Sequence, residues 1–375
     1  MKVLQLQVMR AIAAIFVLLF HIGGTFQAKW GYTSCWGNFQ FGEMGVDIFF
    51  IISGFIIYWS NKEKQHEMAR KEFIARRMLR IYPIYWLALF LTVLFFIIGR
   101  YFLNVSTATS LSMQSFETGG LKALLASFFL IPSNHRVMDI SWTLSFEVIF
   151  YLFFTIFFFK RTKQFFWVSI GIWVLLCYLN KFYFHYDYWH VLDKNPFLSL
   201  FNPIIAEFFI GCALAELISL KVERFKWPCI ILGMTGCCLS FKYVHYSQFQ
   251  ESLNLIVYGL PIMMFMYGFI QYRQRIPAVL VYLGNASYSI YLFHMIFFIP
   301  LLRIIGNNEG LLATHWSIVF YSTIILTVMG CCFTYSLIEK PLLKFCTQKL
   351  KSTFLRSNKY DYNDLNNLDR KISKI

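Results

Sequence analysis

Long apolar stretches recur along the whole chain, separated by short polar segments. Each is about 20 residues long, the length that an α-helix needs to cross the hydrocarbon core of a bilayer. Backbone groups find no water partners in lipid, so such stretches form helices rather than open strands. The pattern predicts an all-α, polytopic transmembrane helix bundle of about ten spans, at residues 6–27, 43–60, 81–103, 141–159, 164–181, 198–219, 226–243, 252–270, 279–302 and 316–338.

Two segments fall outside this pattern. The apolar run at 121–131 is too short to span a membrane and is predicted to be an interfacial or re-entrant helix. Residues 350–375 are polar and rich in Asn, Lys and Asp, which predicts a mobile cytoplasmic tail. The remaining residues, 1–349, are predicted to form one membrane domain.

Composition agrees with a membrane protein and excludes an ordinary soluble domain. The chain is 58% hydrophobic and only 14% charged, whereas soluble domains carry about 25% charged residues. The nine cysteines include no Cys-x-x-Cys pair, so neither a metal site nor a disulfide framework is indicated.

The distribution of basic residues predicts the orientation. If the N-terminus lies inside, 25 of the 34 Lys and Arg residues fall in inside segments and 8 in outside segments, while Arg10 lies within the first span. Inside loops of membrane proteins carry the excess of Lys and Arg, so both termini are predicted to be cytoplasmic. The net charge of +15 is then predicted to face anionic lipid rather than nucleic acid.

Ionisable groups inside spans are costly and are therefore candidate functional residues. Arg10 and His21 lie eleven residues apart on the first span, about 16 Å and close to three helical turns, so they share one face. Asp47, Glu147 and His294 fall in the outer half of the predicted bundle.

Three arginines, Arg76, Arg77 and Arg80, stand at the inner mouth of the third predicted span. A cationic inner mouth suits an anionic cytosolic ligand such as a phosphate-bearing donor. A histidine that meets a carboxylate suits proton removal from a hydroxyl. Since the sequence has no Gly-x-Ser-x-Gly elbow, direct attack by an acceptor hydroxyl, with His21 as general base, is the simpler hypothesis.

Six motifs stand in a fixed order along the chain: MRAIAAIFVLLFH (9–21), GVDIFFIISGF (45–55), FIARRMLRIYPIYW (73–86), SWTLSFEVIFY (141–151), ASYSIYLFH (286–294) and the closing Glu339-Lys340-Pro341. Together they resemble the bacterial acyltransferase-3 family, integral membrane enzymes that O-acylate surface polysaccharides and related acceptors. The likeness covers about residues 5–345.

The resemblance implies an acyl-CoA donor, usually acetyl-CoA, that docks from the cytoplasm with help from Arg77 and Arg80. It implies that His21 is the catalytic residue and that Arg10 belongs to the same first-span motif, which places Arg10 with the donor-binding candidates. Asp47 and Glu147 also fall on the family's patterned positions and are the further catalytic candidates. No metal is expected.

The acceptor expected from the resemblance is a hydroxyl of a cell-surface or lipid-linked glycan. Ser141, Trp142 and His294 are the candidate acceptor-binding residues. The expected setting is the bacterial inner membrane, where the multi-pass chain contacts lipids. Succinyl or longer acyl donors, and amine or lipid acceptors, stay open.

A transporter or flippase of a glycan or a small anionic substrate is the alternative from another class, since the same buried charges suit a transport path. Against it, the sequence shows no inverted repeat and no matched pair of Gly/Pro-broken spans. Single residues also have structural readings: His21 as a packed histidine, Asp47 as a helix cap and the arginines as membrane anchors.

Overall fold

The structure, a computed structural model, describes residues 4–32, 39–64, 67–103, 111–184, 196–243, 255–272, 275–306 and 309–357. Within these ranges the regular elements are helices and no strand is present. The α-helices are α1 (Leu4–Trp30), α2 (Met44–Asn61), α3 (Glu67–Leu103), α4 (Leu111–Phe129), α5 (Trp142–Phe157), α6 (Lys163–Phe184), α7 (Ala206–Ser219), α8 (Lys226–Tyr243), α9 (Leu260–Ile270), α10 (Ala278–Asn285), α11 (Ser287–Gly306), α12 (Glu309–Thr334) and α13 (Lys340–Ser357).

Seven helical stretches in the described chain are long and apolar enough to cross a membrane, with mean hydropathies from 1.2 to 2.3. They correspond to α1, α2, α3, α5, α6, α11 and the continuous run from α12 into α13. These match seven of the ten predicted spans and identify the chain as a multi-pass integral membrane protein.

The other three predicted spans are helical but shorter or less apolar. The segment 198–219 begins in 3₁₀ turns and contributes only the 14 residues of α7. The segment 252–270 contains the five-residue π-helix Leu255–Gly259 followed by the 11 residues of α9. Helix α8 has 18 residues, with lysines near both of its ends. The count of ten spans and the orientation of the termini therefore stay predictions.

The predicted spans 43–60 and 81–103 leave residues 61–80 as a connecting loop, but most of this segment is helical in the structure and belongs to α3. The helix begins at Glu67 and runs for 37 residues through Pro83, about 55 Å at the rise of an α-helix. Its first half is rich in good helix formers and carries the Glu72–Arg76 ion pair at the i, i+4 spacing. Because this half is charged, a search for apolar stretches does not detect it. The three arginines lie on a helix and not on a loop.

The short helix expected near 121–131 is the second part of α4, which bends at Gly120 (φ 49°, ψ −129°). Its carboxyl end is tied to α3: the Tyr85 hydroxyl donates to Ser127 O at 2.7 Å, and Trp86 Nε1 donates to Phe128 O at 3.0 Å. These bonds satisfy carbonyls that the end of a helix leaves open.

Helices α2 and α7 make the closest contact in the bundle. A Cβ added to Gly54 would lie 1.9 Å from the carbonyl oxygen of Phe208, and one added to Gly211 would lie 2.1 Å from that of Ile51. Small residues let membrane helices approach this closely, where van der Waals contact drives association. Gly54, the second glycine of the motif at 45–55, thus allows α2 to pack directly against α7.

The first residues of the predicted tail, 350–357, are helical. Helix α13 continues through residue 350 to Ser357, and residues 358–375 lie outside the described part of the chain.

Candidate active site

Five helices enclose a cleft inside the bundle, with an empty volume of about 740 Å³ counted out to its mouth. Most of its wall is apolar, and a few charged and polar groups converge on it, as is usual for binding sites. The lining residues are Arg10 from α1; Val46, Phe49, Phe50, Ile52, Ser53 and Ile56 from α2; Arg77, Arg80 and Ile81 from α3; Thr143, Leu144 and Glu147 from α5; and Ser287, Tyr288 and Tyr291 from α11.

Arg10, Arg77 and Arg80 line one part of this cleft, which we call the arginine end. Arg77 and Arg80 are one helical turn apart on α3, so both reach the same side. The Arg77 guanidinium lies 5.6 Å from the ring centre of Phe73 and 5.7 Å from that of Tyr151. These cation–π contacts hold its planar fork in place.

Glu147 is a carboxylate of the arginine end. Its Oε1 accepts hydrogen bonds from the Ser53 hydroxyl at 3.0 Å and the Tyr151 hydroxyl at 2.5 Å, and its charge acts on Arg10 and Arg77. The structure therefore brings Glu147 together with the predicted donor-binding arginines. Its predicted catalytic role stays a prediction.

A second carboxylate, Glu339, supports the arginine end from behind. It is the buried residue of the π-helix Tyr335–Glu339. Its Oε2 accepts from the Ser289 backbone N–H at 3.1 Å and the Ser289 hydroxyl at 2.5 Å, in the first turn of α11. Its charge also acts on Arg10 and Arg80, so the two carboxylates offset the repulsion among buried arginines. The sequence showed Glu339 within a motif but gave no signal for this role.

Arg76 does not line the cleft. Its guanidinium pairs instead with Glu72 one turn earlier on α3. Of the three arginines at the start of the third predicted span, Arg77 and Arg80 therefore line the cleft and Arg76 does not.

His21 and His294 face each other, with ring centres 5.1 Å apart and ring planes at 54°; we call them the histidine pair. Nδ1 of His21 lies 2.8 Å from the carbonyl oxygen of Val17. Because a carbonyl oxygen only accepts, Nδ1 carries the hydrogen and Nε2 keeps its lone pair. His21 is partly buried and His294 is fully buried. Neither histidine is part of the cleft lining. His294 lies one helical turn beyond the lining residue Tyr291, with 6.3 Å between their ring centres, so the histidine pair lies just behind this part of the wall.

The cleft wall nearest the histidine pair is polar. The hydroxyls of Thr143 and Tyr291 are 2.6 Å apart, and Tyr291 also donates to Ile140 O at 3.0 Å. Ser141 and Trp142, the predicted acceptor-binding residues, directly precede Thr143 but are not themselves part of the lining. Their predicted role is untested by this placement.

Asp47 lies apart from both groups. It is fully buried, and its carboxyl is within hydrogen-bonding reach of that of Glu207 on α7. With both ionised, neither group has a hydrogen-bond donor among the described residues; one shared proton turns the contact into a hydrogen bond. The structure thus pairs Asp47 with Glu207, and its predicted catalytic role stays a prediction.

One further carboxylate was missed in the sequence. Asp139, in the 3₁₀ turn before α5, is the group whose charge acts favourably on a protonated His21. No motif marked it, since an acidic residue in a loop resembles any solvated charge. Among the described residues, no group of three or more His, Cys, Asp or Glu side chains is arranged to hold a metal ion.

A family profile with the description "Acyltransferase domain" matches residues 3–336. The chain belongs to this acyltransferase-3 family. The matched segment contains the whole lining of the cleft and both histidines. Membership identifies the protein as an acyltransferase, which agrees with a site that joins clustered arginines to a histidine pair.

Two curated proteins are similar to this acyltransferase. "Exopolysaccharide production protein ExoZ" of Rhizobium meliloti (strain 1021) is 28% identical over 325 residues, covering 82% of this chain and 91% of that protein. "Putative acetyltransferase ORF330" of Acidianus two-tailed virus is 24% identical over 270 residues, covering 69% and 74% respectively. No solved structure matches the chain significantly.

Proposed function

We propose that the protein transfers an acetyl group from cytoplasmic acetyl-CoA to a hydroxyl of a cell-surface or lipid-linked glycan, in the bacterial inner membrane, with His21 as general base. The observation that carries the proposal is a cleft lined by three arginines whose wall residue Tyr291 lies beside His294 of the histidine pair. Such an arrangement suits an anionic donor whose reactive group lies some distance from its charges.

The arginine end is proposed to bind the phosphates of CoA. Guanidinium groups bind phosphate through charge-assisted, bidentate hydrogen bonds, and Arg77 and Arg80 present two of them from one helix turn. Arg10 and His21 are about 16 Å apart along α1. An extended pantetheine arm spans a gap of this kind and brings the thioester towards the histidines.

The chemical step follows from the tautomer of His21. Its Nε2 lone pair takes the proton of the acceptor hydroxyl while the oxygen attacks the thioester carbonyl. The C–O bond forms, the C–S bond breaks, and the CoA thiolate leaves and takes the proton from His21. The step needs no acyl-enzyme intermediate and no metal ion.

The acceptor side is argued from the relatives and from position. ExoZ is named for exopolysaccharide production and ORF330 for acetyl transfer, which supports acetylation of a glycan. Ser141 and Trp142 directly precede the lining residue Thr143, and His294 lies one turn beyond the lining residue Tyr291; on this basis we propose that the three residues help to place the acceptor. With residues 1–349 as the catalytic membrane domain, the donor is taken from the cytoplasm and the acceptor meets it further out.

Mass spectrometry of surface glycans tests the proposal. Cells that lack the gene are complemented with wild type, His21→Ala or, as a matched control, His315→Ala on the exposed face of α12. At equal membrane abundance, wild type and His315→Ala should restore an acetyl increment that His21→Ala does not. An unchanged glycan profile in every strain would contradict the glycan acceptor, and full activity of His21→Ala would contradict the mechanism.

A further inference from the structure

His294, which the proposed function places beside the acceptor, has a ring nitrogen whose role is still unassigned. It is fully buried on α11, and its Nε2 has no hydrogen-bond partner among the described residues. A buried polar atom without a partner is costly and is rarely kept without a role. The nearest ring with a titratable nitrogen is that of His21, whose centre lies 5.1 Å away.

The tautomer of His294 is set by its own helix. Nδ1 lies 2.7 Å from the carbonyl oxygen of Tyr291 and 3.1 Å from that of Ile290. Both partners only accept, so Nδ1 must donate and must keep its hydrogen. Nε2 therefore carries a lone pair that can accept a proton or a hydrogen bond.

His21 is arranged in the same way, because its Nδ1 is held by the carbonyl oxygen of Val17 at 2.8 Å. Each ring of the histidine pair thus keeps its Nδ1 hydrogen and offers a lone pair at Nε2. An N–H···N hydrogen bond of about 2.9 Å places two imidazole centres about 5 Å apart. The observed separation of the ring centres is 5.1 Å, which is close enough for one such hydrogen bond.

Few other charges reach this pair. The charge that acts on His294 is that of His21, and the titratable side chain beside it on α11 is Tyr291, at 6.3 Å between ring centres. His21 is influenced by Asp139 from outside the pair. A proton that arrives at His21 therefore finds its nearest buried acceptor in His294.

We propose that His294 is a positioning residue that accepts a hydrogen bond from Nε2–H of His21 once His21 has taken the proton of the acceptor hydroxyl. The inference rests on the proposed acyl transfer. His294 keeps its Nδ1 hydrogen throughout and gains no atom; the proton on His21 goes to the departing thiolate. The partnership stabilises the imidazolium of His21, which makes His21 a stronger base.

The test compares His294→Leu, His294→Gln and the exposed control His315→Leu in purified protein. His294→Leu should lower kcat about tenfold, with the donor KM changed less than twofold. The loss is smaller than the roughly 10²- to 10⁴-fold contribution of a general base itself, because His294 acts through His21. His294→Gln keeps an oxygen that can accept the hydrogen bond, so its kcat should fall less than that of His294→Leu. In His294→Leu the acid limb of the pH–rate profile should move to lower pH, because His21 no longer has help in holding a proton.

An equal fall in both His294 variants together with a raised donor KM would contradict the proposal, since that pattern reports a packing defect. An unmoved acid limb would also overturn it. If His294→Leu fails to fold, judged by size-exclusion profile and Tm, the Gln variant carries the test.

A second readout is independent of turnover. In ¹⁵N-histidine NMR spectra of wild type, the two rings should take up one proton between them as the pH falls. In His294→Leu, His21 should then require a lower pH to become protonated. If the wild-type rings titrate independently, the pairing is wrong. If they titrate together but no acyl group is transferred, the pairing stands and the proposed acyl transfer is at fault.

Discussion

The arginine end and the histidine pair differ in how the protein keeps polar groups inside a membrane. At the arginine end, residues of opposite charge lie together: Arg10, Arg77 and Arg80 lie beside Glu147 and Glu339, and the arginines open onto a cleft. At the histidine pair, the Nδ1 atoms are satisfied by backbone carbonyls, and the charge of Asp139 acts on His21.

The difference separates binding from chemistry. Fixed charges of constant sign are suited to hold an anion, because they need not change during a reaction cycle. Neutral imidazoles with free lone pairs are suited to take and return a proton near neutral pH. Substitutions at the two places should therefore change different kinetic constants, and the following experiments test that division.

The largest effect is expected at the histidine pair. His21→Ala removes the proposed base and should lower kcat by about 10²- to 10⁴-fold, while binding of acetyl-CoA to the purified protein stays within about twofold of wild type. Isothermal titration with a non-hydrolysable donor analogue measures the binding. If binding fell in step with kcat, the division between the two regions would fail.

The next effect is expected at the arginine end. Arg80→Ala removes a charge-assisted contact to donor phosphate and should raise the donor KM about 10- to 100-fold, with a smaller change in kcat. Arg76→Ala is the matched control, since Arg76 lies four residues away on α3 but pairs with Glu72 off the cleft. Similar KM values for the two variants would show that general positive charge, rather than the cleft, attracts the donor.

Glu147→Gln sharpens the comparison further. The amide oxygen can still accept from Ser53 and Tyr151, but a negative charge beside the arginines is lost. If Glu147 acts as a counter-charge to the arginines, its substitution should strengthen donor binding and lower the donor KM about threefold. Added salt should weaken this effect. A kcat loss as large as that of His21→Ala would instead support the catalytic role that the sequence predicts.

The smallest kinetic effect is expected for Asp47→Asn. Asp47 faces Glu207 away from the cleft, so kcat and KM should change by less than about threefold. Thermal unfolding should report the change instead. A carboxyl pair that shares one proton loses its hydrogen bond when alkaline pH removes that proton, whereas the Asn variant keeps an amide donor. Its Tm should therefore depend less on pH than that of wild type.

Much of the fold could be predicted because the membrane imposes length and polarity on its helices. The spans of α1, α2, α5 and α11 were found from apolar stretches alone. The first half of α3 was missed because it is helical for local reasons, good helix formers and an i, i+4 ion pair, without being apolar. The apolar search also counted α7 as a full span, although it is only 14 residues long.

The site was predicted in part for a similar reason. A charge inside a span is visible in a sequence, which singled out Arg10, His21 and His294, and the structure places the latter two against each other. Which carboxylate meets which partner depends on contacts between distant helices. Glu147 was expected in the outer half of the bundle, away from the inner arginines, but lies with them in the cleft. No pattern in the sequence identified the partner of Glu207.

The close contact between α2 and α7 also bears on how the chain enters the membrane during synthesis. Helix α7 is a poor candidate for independent insertion, because its 14 residues are too few to cross a bilayer and its first turn carries the buried Glu207. Gly54 and the carboxyl of Asp47 provide a partner surface on α2, which is made earlier in synthesis, and Gly211 lets α7 approach it closely. Helix α7 is thus expected to wait at the translocon until α2 receives it, which makes assembly of this bundle sequential and dependent on the order of translation.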